Sequence, residues 1–311
     1  MVDNIDFKIR SYDVGGIDFL SQTPLYFDVT GEHCFKGENV ITGTLDGLLR
    51  VSASQRGVNV TDGSLCKWYL GDNFQTMERG DTQRAIEKLS DILHLPMNEA
   101  TITRIDVAQN FIIRHPPEVY FNHLGSSYPY KRLEQPDGLY YSKHGTLLVF
   151  YDKVKEQKAK GHTIPELYSN RNTLRYEMRF KARLKDIFKV ERVTGGMLYD
   201  ELFYMDIVKR WKQAYKDIKK INDVTLNFEA MKTKRDLYTL GLVSLIDQQG
   251  GELAMIQQIN EAYKKGELSK KQSYDIRQAI YEASRATIAT VESDVIKELD
   301  KKMDDVIRFY R

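Results

Sequence analysis

Three short segments each place an acidic or phenolic side chain close to basic ones. Asp106 lies two residues after Arg104, Tyr151 lies two residues before Lys153, and Glu177 is flanked by further arginines. Mg²⁺ prefers carboxylate oxygens together with substrate phosphate. A tyrosine can attack a phosphodiester once its proton is lost, and a nearby ammonium favours the phenolate. Together these residue types indicate metal-assisted attack on a phosphate.

The elements that carry these residues show the two-residue alternation of strands. Thr101–Phe111 puts Arg104 and Asp106 on the side opposite its apolar residues. Thr146–Lys153 puts Tyr151 and Lys153 on a shared face, and Thr173–Lys181 puts Glu177 on its charged side. If the three strands pair in one antiparallel sheet, the phenol and the carboxylates converge on one face.

The metal predicted for this site is Mg²⁺ or Mn²⁺, held by Asp106, Glu177 and Glu156. The six histidines include no His-hydrophobic-His pair, so a site built on two histidines is not expected. With nineteen tyrosines in the chain, the residue types alone leave a packed aromatic as the alternative for Tyr151. Tyr176 and Tyr215 are rival nucleophiles, although Tyr176 points with apolar neighbours and Tyr215 lies on a basic helical segment.

Further strands and one helix are predicted before Pro116. Thr42–Val60 mixes apolar alternation with glycines, which indicates antiparallel strands joined by tight turns, and Ser64–Leu70 is expected to continue them. Asp81–Leu95 has helical periodicity, with Asp81 or Thr82 as the cap and Pro96 as the stop. The polar connection that ends near Gly138 is expected to be a binding loop.

Beyond Gly195 the pattern changes to amphipathic helices without a strand signal. The predicted helices cover Met197–Ile221, Asn227–Asp247, Leu253–Lys264 and, with breaks, Ser269–Phe309. The predicted fold class is therefore α+β, with antiparallel sheet and packed helices first and an all-helical part last. The expected domains are a catalytic domain over 1–195 and a helical region over 196–311, which serves DNA contact, dimerisation or partner binding.

Composition and charge narrow the class of protein. A net charge of +2 does not identify a nucleic-acid binder, but bases outnumber acids from Lys181 to Lys220, and Lys209, Arg210 and Lys212 are predicted to face phosphates. No apolar run approaches the roughly 20 residues that span a bilayer, and no membrane partner is expected. Cys34 and Cys66 are expected to be buried thiols.

The order of the three motifs resembles two related families of rolling-circle replication initiators. Thr103–Ala108, Val149–Glu156 and Leu174–Arg179 resemble the gene II/X replication proteins of filamentous phages and the staphylococcal plasmid Rep proteins. Gly63–Asn73 is also similar to the phage and plasmid group, and the resemblance covers about Thr42 to Lys189.

This resemblance implies nicking at a replication origin, a covalent 5′-phosphotyrosine link and a freed 3′-hydroxyl that primes synthesis. The family's nucleophile falls on Tyr151 and its carboxylates on Asp106, Glu156 and Glu177. It implies phosphate contacts from Arg104, Lys153, Arg175 and Arg179.

The implied partners are origin DNA, either single-stranded or supercoiled, together with a host helicase and polymerase, because the chain has no ATP-binding phosphate loop. The expected location is the cytoplasm of a bacterial host. The residues leave two alternatives open, a DNA-binding regulator without catalysis and a relaxase for conjugative transfer. They also leave open whether the chain is a homodimer.

Overall fold

The described part of the chain comprises residues 1–15, 17–221, 223–224, 231–285, 290–291 and 293–310 of a computed structural model. It has an antiparallel sheet with helices towards the N-terminus and a helical region towards the C-terminus, which confirms the predicted fold class. No helix in these ranges combines the length and apolar character needed to cross a bilayer.

The strands are β1 Val2–Arg10, β2 Asp28–Phe35, β3 Glu38–Leu45, β4 Leu49–Ser54, β5 Gly57–Thr61, β6 Thr101–Ile113, β7 Leu124–Ser127, β8 Lys131–Gln135, β9 Gly138–Lys143, β10 Thr146–Asp152, β11 Asn172–Phe180, β12 Ile218–Lys220, β13 Asp223–Val224 and β14 Thr290–Val291. The helices are α1 Leu65–Leu70, α2 Arg79–Leu93, α3 Pro117–Asn122, α4 Lys153–Ala159, α5 Leu184–Phe188, α6 Glu201–Lys216, α7 Lys234–Gln248, α8 Glu252–Lys264, α9 Lys270–Arg285 and α10 Asp294–Phe309.

The main sheet has the strand order β2-β3-β4-β5-β1-β6-β11-β10-β9-β8. The chain divides into two compact units, each built from three segments. The first unit comprises Met1–Asn110, Ser142–Val149 and Arg175–Lys212, and the second comprises Phe111–Tyr141, Phe150–Leu174 and Gln213–Arg311. Strands β6, β10 and β11 contribute residues to both units. The predicted domain boundary at Gly195 stays a prediction, although neither unit ends there.

The core of the first unit lies against one face of its sheet. On β1 the side chains of Ile5, Phe7 and Ile9 are buried and alternate with less buried polar ones. Strands β4 and β5 bury Val51 and Val60 in the same way, and these two residues are paired across the strands. This alternation leaves the opposite face of the same strands to polar side chains.

The second unit contains a helical cluster of its own. Helices α7, α8 and α9 share a core made of Ile246, Ile259, Ile280 and Ala283. Helix α10 buries a separate apolar stripe at helical spacing, and the Tyr120 hydroxyl of α3 donates a hydrogen bond to Glu298 of α10.

Several local predictions are wrong. Ser64–Leu70 is not a strand, because the Ser64 hydroxyl accepts from the backbone N–H of Lys67 and caps α1. Helix α2 begins earlier than expected, since Glu78 and Asp81 form a capping box at its start. Cys34 is exposed, whereas Cys66 is buried as predicted.

Two regions contain strands that the sequence did not predict. The connection before Gly138, expected to be a binding loop, holds α3, β7 and β8. The C-terminal part holds β12, which pairs with β7, and the pair β13 and β14. The predicted start of a helix at Asn227 lies outside the described residues.

Candidate functional site

Asp106 is fixed in the first unit by three hydrogen bonds. Its carboxylate accepts from Arg104 Nε at 2.9 Å and Nη2 at 2.5 Å, and from Asn4 Nδ2 at 3.2 Å. Arg104 and Asp106 are two residues apart on β6, so their side chains share a face of the strand. The register of β1 with β6 sets Asp6 opposite Arg104. A fully buried carboxylate is therefore held by a half-buried guanidinium.

The pKa of Asp106 is raised from its ordinary value of 3.8 to about 6. Burial is the largest cause, because it removes water from the charged form, and the negative charge of Glu177 adds to it. The hydrogen bonds and positive charge of Arg104 act in the opposite direction, as does the charge of Arg179, without cancelling the effect of burial. The site thus holds two carboxylates that repel each other.

Glu177 is held in a similar way on β11, the strand next to β6. It is buried, and its Oε2 accepts from Arg179 Nη2 at 3.0 Å. Arg104 and Arg179 are close enough for their charges to oppose each other. We call the four side chains Arg104, Asp106, Glu177 and Arg179 the carboxylate cluster. The structure brings these four predicted residues together within the first unit.

The donor set of the carboxylate cluster fits a hard divalent cation that is completed by substrate. Mg²⁺ in phosphate-processing sites is held by one or two carboxylates plus phosphate oxygens. In the part of the chain that is described, no group of three or more His, Cys, Asp or Glu side chains is arranged to hold a metal ion. Asp106 and Glu177 would thus need oxygens from another source, and Glu156 as a third ligand stays a prediction.

Arg175 lies on the same strand as Glu177 but is occupied within the fold. Its guanidinium forms an ion pair with Asp3, and its Nη1 donates to the Asn73 carbonyl at 2.9 Å and to Asn110 Oδ1 at 3.2 Å. Only 2% of Arg175 is exposed. Arg175 is therefore one half of a buried ion pair with Asp3. Phosphate binding by Arg175 stays a prediction.

Tyr151 lies in the second unit near the end of β10 and is half-buried. The strand ends at Asp152, whose side chain accepts from the backbone N–H of Lys155 and caps α4. Gly138 of β9 lies against this segment, since a methyl group there would be 3.1 Å from Tyr151 Cβ and 2.4 Å from the Phe150 carbonyl oxygen. Glycine is therefore the residue that allows β9 to lie beside Tyr151.

Lys153 does not share a strand with Tyr151, and this prediction is wrong. It is the first residue of α4, is 1% exposed, and its Nζ donates to Glu156 Oε2 at 3.0 Å. The cause is the cap formed by Asp152, which turns the chain into a helix.

Glu156 has three donors around one carboxylate. Burial would raise its pKa, but hydrogen bonds from Lys160, Gln157 and Lys153, with the charge of Lys153, outweigh burial and lower the pKa to about 2. His162 extends the group through a 3.1 Å contact with Gln157 Oε1. Glu156 is therefore charged at neutral pH and surrounded by donors.

The basic residues predicted on the later helix lie on α6. Lys209 is exposed, Arg210 pairs with Asp206 at 2.8 Å, and Lys212 is half-buried. Both rival tyrosines are packed. Tyr176 stacks on Trp211 and donates to its carbonyl at 3.0 Å, while the buried Tyr215 donates to Asp300.

Sequence reasoning missed the contribution of β1. Asn4 contacts Asp106, the charge of Asp6 acts on Arg104, and Asp3 pairs with Arg175. The alternation of polar and apolar residues over Val2–Arg10 could have identified this strand. The pairings themselves could not be found, because they join residues about a hundred or more positions apart in the chain.

The segment that carries the site is similar to a known protein family. Residues 31–214 match a family model that describes the N-terminal part of a phage replication-associated protein. This segment includes the carboxylate cluster and Tyr151, and it covers more than half of the chain. None of the curated proteins matches the chain.

Proposed function

Because the chain belongs to the family of phage replication-associated proteins whose N-terminal part it matches, we propose that it starts replication by nicking DNA at an origin. The observation that most supports this proposal is the carboxylate cluster. Each carboxylate is paired with an arginine, but the two are buried close enough for their charges to repel, an arrangement that costs stability and is typical of functional sites.

In this proposal Tyr151 is the nucleophile. Its phenol oxygen loses a proton and bonds to the scissile phosphorus, while the bond from phosphorus to the 3′ oxygen breaks and that oxygen takes up a proton. The product is a 5′-phosphotyrosine and a free 3′-hydroxyl from which a host polymerase extends. Lys153, which follows Tyr151 by two residues, is proposed to favour the phenolate through its charge, although its Nζ is hydrogen-bonded to Glu156.

Arg104 and Arg179 are proposed to hold a DNA phosphate. Each is partly exposed, at 24% and 26% of its side chain, while the carboxylate that it binds is buried. A guanidinium that reaches solvent can bind a second anion in addition to the first, because its donors point in several directions. Mg²⁺ or Mn²⁺ held by Asp106 and Glu177 would supply polarisation of the phosphate and stabilise the leaving oxygen.

The proposal is tested with supercoiled DNA of the replicon that encodes the chain. Purified protein, this DNA and Mg²⁺ or Mn²⁺ should give a protein–DNA adduct that survives detergent, and mass spectrometry of the digested adduct should locate the nucleotide on Tyr151. Tyr151→Phe should give no adduct. Tyr128→Phe is the matched control, because Tyr128 is 89% exposed and lies in the same unit.

An adduct of undiminished yield from Tyr151→Phe would remove Tyr151 from this role. Tight binding without cleavage in either metal would favour the alternative of a regulator without catalysis. A conjugative relaxase would give the same adduct, and it would be distinguished by cleavage at a transfer origin in place of a replication origin.

A further inference from the structure

One face of the sheet in the first unit is concave and basic. Strand β1 turns Ile9 towards the core and Lys8 and Arg10 the other way, and β4 turns Arg50 to the same side as these two. The turn residues Lys36 and Arg56 complete the set. We call these five cations the basic face. With their neighbours on β1 to β5 they line a cavity of about 740 Å³.

The positive charge of the basic face is only partly neutralised within the fold. Of the carboxylates lining it, Glu38 pairs with Arg56, and Asp62 lies 3.8 Å from Arg50. In the second pair both side chains are at least 60% exposed, so the attraction is weak and can be exchanged for another anion.

The positive charge of Lys8 is not neutralised by a neighbouring carboxylate in the described part of the chain. It has no ion-pair partner among the described residues, and its pKa is lowered by burial first and by the nearby charge of Arg10 second. Crowded cations of this kind are stabilised when an anion binds between them.

Uncharged donors and acceptors lie between the cations. Arg10 Nη2 donates to Asn59 Oδ1 at 3.3 Å, and Asn59 Nδ2 donates to Ser52 Oγ at 3.1 Å. These contacts hold the side chains in a fixed row across three adjacent strands. Such a mixture of arginine, lysine, amide and hydroxyl groups is typical of surfaces that hydrogen-bond to DNA phosphates and sugars.

We propose that the basic face binds duplex DNA. The charge of the basic face is complementary to phosphate. Five strands at about 4.8 Å spacing make a face about 19 Å across, so the face can span the roughly 12 Å major groove and reach the phosphates on both sides of it. A single strand is less well suited, because sites for single strands stack bases on several aromatic rings. Among the lining residues only Phe35 and His33 carry rings, and both lie on the outer strand β2.

The basic face continues into the carboxylate cluster within the first unit. Asn4 and Asp6 are on the same side of β1 as Lys8 and Arg10, and they interact with Asp106 and Arg104 respectively. A duplex on the basic face would lie beside the cluster. The idea that this placement presents the duplex to the carboxylate cluster for cleavage rests on the proposed function, whereas duplex binding by the basic face does not.

The test is binding to a fluorescent duplex of about 20 base pairs and to one of its single strands, in EDTA, at several salt concentrations. The variant Lys8→Gln/Arg10→Gln should lower the slope of log affinity against log salt by about 1.8, since each phosphate contact contributes about 0.9. If the affinities converge near 1 M salt, the duplex affinity at about 0.1 M salt falls about 60-fold. Arg84→Gln/Lys88→Gln on α2 removes the same charge outside the basic face and should leave duplex binding unchanged.

Arg50→Glu provides a second variant that keeps the fold intact, since its side chain is 60% exposed, and it should weaken duplex binding as well. Wild-type duplex affinity and slope in both basic-face variants would overturn the proposal. A loss confined to the single strand would overturn the assignment to duplex. The result is independent of cleavage, because Tyr151→Phe protein should bind the duplex as wild type does even if the nicking proposal fails.

Discussion

Replacing Asp106 by asparagine should stabilise the protein at neutral pH and abolish cleavage. The folded state raises the pKa of this carboxyl from 3.8 to about 6. The folded state therefore binds the proton more tightly than the unfolded state does, and the ionised form costs stability. At about 1.4 kcal/mol per pH unit, this difference corresponds to about 3 kcal/mol.

Because folding raises the pKa of Asp106, its ionisation lowers the stability of the protein only above a certain pH. Below about pH 4 the carboxyl is protonated in both states and costs nothing. As the pH rises from about 4 to about 6 the stability of the wild type falls, and above that it stays lower by the full amount. Asp106→Asn cannot ionise, so it does not follow this decrease.

The assay is urea unfolding of wild type and Asp106→Asn at pH 4 and pH 8. The two should have similar stability at pH 4, and the variant should be more stable by about 3 kcal/mol at pH 8, or by about 6–12 °C in Tm for a unit of ordinary size. Asp62→Asn is the matched control, because Asp62 is 63% exposed and its replacement should give no such difference. If Asp106→Asn is equally destabilised at both pH values, the pair with Arg104 outweighs burial and the reasoning is wrong.

Three further substitutions test the packing that supports the site. Arg175→Met should cost about 3–5 kcal/mol in urea unfolding by removing the guanidinium that neutralises the buried Asp3 carboxylate, and Asp3→Asn in the same chain should restore most of it; wild-type stability of the single variant would contradict this. Gly138→Ala should cost about 1–3 kcal/mol, because its methyl group would lie 2.4 Å from the Phe150 carbonyl oxygen, and should slow adduct formation, whereas Gly241→Ala, with open space around it, should not. Trp211→Ala should lower the free energy of unfolding by about 3–5 kcal/mol, and Tm with it, because it removes the ring that stacks on Tyr176; an unchanged Tm would refute the assigned packing.

The elements with the clearest periodicity could be predicted from the sequence. Alternation identified β6, β10 and β11, and the helical stripe identified α2, to within a few residues. These elements are defined by which side chains face the core, and that pattern is local in the chain. The fold class followed from the same patterns, since strands dominate the first half and helices the second.

Burial of the site could not be predicted in the same way. Alternation places Asp106 on the face opposite Ile105, but it does not say what covers that face, and the structure buries both residues. The start of α4 depended on a hydrogen bond from the Lys155 backbone to the Asp152 side chain, which a run of β-prone residues conceals. The partners of Arg175 were equally hidden, because Asp3 lies 172 positions away.

The division of the chain into alternating segments limits how this protein can have evolved. Each compact unit takes three separate stretches of the sequence, so the chain passes back and forth between them over residues 110–213. A single genetic crossover in that interval would leave each unit with parts from two parents. Neither unit can be inherited or exchanged as one uninterrupted cassette, and we expect relatives to diversify by substitution and by insertion at turns more than by shuffling of whole modules.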